Sequence, residues 1–118
     1  MKTRSYSILL ILILLLFGCQ QNVPVPPDLQ GVWTTATPQY EGRYLSITED
    51  SLIFGIGEGE VINNILEKKI ERENNMVKYT FRYENLEGEQ WTLSLFYNPI
   101  SKRIQLQNRN EFWERIHL

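Results

Sequence analysis

The chain has 118 residues, 12 of them basic and 14 acidic, with one histidine and one cysteine. That length suits a single domain. A formal net charge of −2 argues against a nucleic-acid partner, which needs a basic stripe, and one cysteine permits neither an internal disulfide nor a Cys/His zinc site.

In chain order, Lys2 and Arg4 precede an unbroken apolar run from Ile8 to Phe17. A membrane-crossing helix needs about 20 apolar residues, so this run is too short to span and suits the core of a signal peptide. The run ends in Leu16-Phe17-Gly18-Cys19, with an aliphatic residue three positions before the cysteine and a small one directly before it. This pattern resembles the lipobox of bacterial lipoproteins; the alternative is an ordinary secretory signal with a chance cysteine. The resemblance implies cleavage after Gly18, a diacylglyceryl thioether on Cys19 and, in many members, a further acyl chain such as palmitate on the new amine. Two or more acyl chains anchor stably where one is marginal, because each buried methylene contributes about 0.8 kcal/mol. Residues 1–18 are thus expected to be a leader. Their removal leaves 100 residues, with ten basic against fourteen acidic side chains, which is too acidic for a mainly electrostatic grip on anionic lipid.

Residues 19–27 read as a lipidated, Pro-rich tether, with Pro24, Pro26 and Pro27 favouring an extended chain. Gln20 is not the aspartate that holds many enterobacterial lipoproteins in the inner membrane. By that resemblance the expected address is the periplasmic face of the outer membrane or the cell surface.

From Asp28 to Leu118 the pattern is β-rich. Gly31–Thr37 carries Val32, Trp33 and three threonines, which favour strands. Arg43–Thr48 alternates through Leu45 and Ile47, and Leu52–Ile56 follows a tight turn. Residues 61–73 are ambiguous: Ile62, Ile65, Leu66 and Ile70 fit a helical face, while Ile62, Leu66 and Ile70 also fit a strand face, and the strand neighbours favour a strand near Asn64–Glu73. Val77–Tyr83, Trp91–Tyr97 and Arg103–Asn108 alternate, with Asn-rich or Pro-containing turns between them, and Glu111–Ile116 closes the series. Eight strands at even spacing with short links predict an all-β fold. An eight-stranded antiparallel up-and-down barrel is favoured because closure removes exposed edges; a sandwich is the alternative.

Leu29-Gln30-Gly31-Val32-Trp33 resembles the Gly-x-Trp opening of the lipocalin and calycin barrels. In those folds the tryptophan closes one barrel end and an arginine from the last strand lies across it. The resemblance implies a barrel-closing pair of Trp33 with Arg115, and a guanidinium over an indole is worth about 0.5–2 kcal/mol. The chain is shorter than a typical lipocalin and has no convincing C-terminal helix, so "lipocalin-like" is the fitting term.

No catalytic constellation, metal site or cofactor is expected. His117, the sole histidine, is next to last, where chain ends are usually mobile. The acidic pairs Glu58/Glu60 and Glu87/Glu89 flank turn glycines and read as solvated turn residues rather than acid–base or cation sites. Tyr79, Phe81, Tyr83, Trp91 and Tyr97 are the informative set: they line either a ligand pocket or a packed core. The leading expectation is a non-enzymatic, lipid-anchored, lipocalin-like envelope protein that binds a small apolar ligand. The alternative is an interaction, scaffolding or inhibitor module for another envelope protein.

Overall fold

The computed structural model describes residues 24–116. The leader, Cys19, the first part of the tether and His117 lie outside the described residues. The strands are β1 Gly31–Thr34, β2 Arg43–Ile47, β3 Ser51–Ile56, β4 Glu60–Glu73, β5 Met76–Glu84, β6 Gln90–Asn98, β7 Arg103–Leu106 and β8 Phe112–Arg115. Each pairs antiparallel with the next. β8 returns to β1 through Trp33 opposite Arg115 and Thr34 opposite Glu114, so one sheet closes on itself as an up-and-down barrel. The sandwich alternative falls with that closure. Among the described residues no helix is long and apolar enough to cross a membrane.

Period-two alternation sorts the side chains. Leu45, Ile47, Leu52, Tyr79, Phe81, Leu95, Tyr97, Ile104 and Trp113 point inward and are buried. Polar partners take the outer wall, as where Thr80 and Ser94 hydroxyls meet at 3.2 Å and Arg82 pairs with Glu67 at 3.1 Å. Short polar links turn the chain. Asn74 takes the left-handed conformation at φ 54 between β4 and β5, and Asn85 Oδ1 accepts the backbone N–H groups of Glu87 and Glu89 at 3.0 Å.

The ambiguous stretch is a strand, and a longer one than expected. β4 runs 14 residues and carries a bulge at Leu66, between Ile65 opposite Tyr83 and Glu67 opposite Arg82. An extra residue switches faces. Before it, Val61, Asn63 and Ile65 share the inner register; after it, Lys68, Ile70 and Arg72 do. The expected common face of Ile62, Leu66 and Ile70 therefore does not exist, and Ile62 lies outside, 45% exposed. Asn63 is buried instead, with its amide donating to the carbonyls of Leu52 at 3.1 Å and Val61 at 3.3 Å. β3 pairs with β4 only as far as Asn64, so, among the described residues, 66–73 have a strand partner on the β5 side alone.

The chain before β1 is not merely a tether. Val25 and Leu29 are buried in the core, so packing starts before the expected boundary at residue 28. Residues 25–30 form a strap across the barrel end that carries the β2–β3, β4–β5 and β6–β7 turns. The Trp33 indole N–H donates to the Leu29 carbonyl at 2.9 Å. Gln30 Nε2 donates to the Val25 carbonyl at 2.9 Å and to Glu49 at 3.1 Å, and Glu49 in turn meets Lys68 Nζ at 3.7 Å. Prolines without N–H groups suit this crossing, because the strap offers carbonyls rather than a ladder.

Trp33 lies in the middle of this closure with none of its surface in water. Trp33→Ala is expected to destabilise the domain by about 3–5 kcal/mol in urea unfolding. A loss under about 1 kcal/mol would contradict a closing role for the ring.

Candidate functional site

The five aromatics singled out from the sequence do not form one pocket. Tyr79 and Phe81 stack at 6.3 Å with planes 9° apart, inside the packed core. Tyr97 is also buried; it meets Trp33 edge-on at 6.4 Å near the strap. Tyr83 and Trp91 sit opposite each other at the far end of β5 and β6, 6.2 Å apart, and Trp91 is 47% exposed. Thus three of the five build the core, and two reach the unstrapped end.

That end is the candidate site. It is bounded by the connections 35–42, 57–59, 85–89 and 107–111. Phe54 packs edge-on to Tyr83 at 5.7 Å, and Tyr40 leans on Trp113 at 5.6 Å. Between them a cavity of about 210 Å³ opens to solvent, floored by Leu45, Phe54, Leu106 and Trp113 and rimmed by Tyr40, Arg43, Arg109 and Glu111. Ile56 and Val61, on the inward register at the same rim, are 53% and 38% exposed. The sequence reading missed Phe54, Leu106, Trp113 and Tyr40 as site residues. Their alternation was visible, but which end of each strand would stay open was not.

Two larger clefts, of about 560 and 420 Å³, lie on the outer wall around Thr34–Thr37. Outward-pointing side chains and the β1–β2 connection form them, and threonines with Glu41, Arg103 and Glu114 line them, so neither has the apolar core floor of the mouth. A further cleft of about 300 Å³ flanks the strap and contains Asp28, Lys102, Glu114 and Arg115.

Trp33 and Arg115 are brought together, with an unexpected division of labour. The guanidinium carbon lies 6.0 Å from the indole centroid, at the outer limit of a cation–π contact. Arg115 Nη1 lies 3.2 Å from the carbonyl oxygens of Pro27, Asp28 and Gln30. The arginine therefore clamps the strap over the ring more than it covers the ring itself. Gly31 makes room: at φ 138 it adopts a backbone that side chains disfavour, and a Cβ there would stand 2.8 Å from Arg115 Cδ.

Of the acidic pairs, Glu58, Glu87 and Glu89 lie in connections, and Glu60 opens β4. Glu60 accepts a hydrogen bond from the Tyr44 hydroxyl, which holds that phenol above its ordinary range. Tyr44 lies across Gly55 on the outer wall, where any Cβ would collide with its ring. Glu89 accepts from the Asn85 amide at 3.3 Å.

Burial raises the phenols of Tyr79, Tyr83 and Tyr97 above the ordinary 10.0. An unfolded chain releases these protons at the ordinary value, so the fold binds more protons than the unfolded state above it. Stability is therefore fully present below about pH 10 and is lost as the pH climbs through the raised values. The urea midpoint should fall between about pH 9 and pH 11, and less so in Tyr83→Phe. An equal fall in that variant would remove Tyr83 from the cause.

No protein-family model, no curated protein and no solved structure matches this chain.

Proposed function

We propose that this protein is a lipid-anchored, non-enzymatic barrel of the cell envelope that takes a small apolar molecule into its unstrapped mouth. The observation that carries the binding half is the asymmetry of the barrel. One end is sealed by Val25, Leu29 and the Arg115 clamp, while the other exposes an apolar floor beneath a polar rim. An apolar cavity of roughly 150 Å³ holds benzene, so about 210 Å³ suits one ring with a short substituent. Arg43 and Arg109 at the rim make no ion pair among the described residues, which leaves them free to orient a polar group on the ligand. The rival reading, a docking module for another envelope protein, draws on the same exposed Ile56, Val61 and Trp91.

The anchor rests on the Leu16–Cys19 pattern and its resemblance to the lipobox. Cys19→Ser should abolish incorporation of labelled fatty acid and leave an uncleaved precursor or a released protein; undiminished labelling would refute the anchor.

For the mouth, 3-phenylpropionate supplies one aromatic ring with one anionic group on a short chain. It should bind saturably, one per chain. Leu106→Trp, which fills the cavity floor, should weaken it about tenfold, equal to about 1.4 kcal/mol. Tyr97→Phe at the strapped end should leave it unchanged. Equal affinity for the filled variant would remove the mouth as the site and leave the docking reading in place.

A further inference from the structure

The strap fixes where the chain enters the fold. Pro24 is the first described residue, and the Arg115 clamp and the buried Val25 and Leu29 hold the next six residues across one barrel end. From Cys19 to Pro24 there are five chain steps, and even a fully extended chain covers at most about 3.3–3.6 Å per step, or roughly 17 Å in all. An anchor at Cys19 therefore keeps the strapped end within a short reach of the lipid.

The far end stands well clear of it. β5 and β6 are nine residues each. At about 3.3 Å per residue and a tilt of about 40° they separate the two ends by roughly 20–25 Å. The strapped end also carries an apolar tip: Ile100, in the turn between β6 and β7, is 83% exposed beside Lys102. Charges around it are mixed, with Asp28, Glu49, Asp50 and Glu73 against Lys68, Arg72 and Lys102. Attraction to anionic headgroups is therefore not what orients this face. The short tether is, because Leu86, in the turn between β5 and β6 at the far end, is as exposed as Ile100 and gives neither end an apolar advantage.

We infer that the strapped end is the face turned to the bilayer, with Ile100 meeting the headgroup region, and that the mouth opens away from the membrane. The inference rests on the anchor proposed above. It makes the ligand one that arrives through water or from another protein, not one that slides in from the lipid beneath.

Single fluorescent labels test it on the full lipidated protein, where Cys19 is already occupied. One label goes at Ser101→Cys on the strapped end and one at Glu87→Cys beside the mouth; both are exposed turn positions. The proteins are placed on vesicles of phosphatidylethanolamine and phosphatidylglycerol carrying a headgroup nitroxide. The label at 101 should be quenched several-fold more than the label at 87, and Ile100→Asp should reduce the difference. Equal quenching, or stronger quenching at 87, on protein whose mass shows the lipid would overturn the orientation alone. Protein that fails to float with the vesicles and whose mass lacks lipid would overturn the anchor, and the orientation with it.

Discussion

A guanidinium near three carbonyl oxygens and an indole N–H on a fourth hold a proline-rich strap over the end of the barrel. The remaining structure depends on this crossing. Without it the Trp33 N–H would lose its protein partner and the lower core would be open to water. The larger stabilisation is apolar: burying Val25 and Leu29 contributes roughly 1.5–3 kcal/mol each, whereas a typical hydrogen bond nets about 0.5–1.5. The polar contacts therefore set the strap's path, and the two aliphatic side chains supply most of its hold. Gly31 permits the arrangement by leaving the Arg115 side chain room to pass.

A barrel sealed at one end has a direction. Side chains fill the lower interior from Trp33 through Phe81 and Leu95. Among the described residues only Tyr40 leans over Trp113 at the other end, and Phe54 and Leu106 stay half-buried, so an apolar floor lies open to solvent there. The same eight strands thus give a closed half that provides stability and an open half that provides a concave surface. Closure and the concave surface are separated along the barrel axis, so substitutions at the floor can reshape that surface while leaving the Trp33 closure intact.

Much of the fold was legible because alternation and turn chemistry act locally. Val77, Tyr79, Phe81 and Tyr83 can share a face only in an extended chain, and the Asn-Asn and Asn-Leu-Glu-Gly links specify reversals. The strap was not legible, since prolines beside an anchor read equally well as a spacer, and only the geometry of the closed barrel shows a hole that Val25 and Leu29 fill. Nor was the bulge at Leu66, which exchanges the faces of β4 and puts Asn63 inside. The site was half legible. Tyr83 and Trp91 were picked out, but alternation says which face a residue takes and not how far along the barrel it lies. Tyr79, Phe81 and Tyr97 accordingly proved to be core.

β4 outruns its neighbour β3, and among the described residues no strand lies alongside one row of the backbone groups of 66–73. Such a margin would ordinarily invite another chain to extend the sheet. Here charges guard both surfaces: Glu67, Lys69 and Glu71 on one, Lys68 and Arg72 on the other. A strand adding there would have to desolvate them or match their order. That double row of charges is a built-in obstacle to a second copy extending the sheet from this margin.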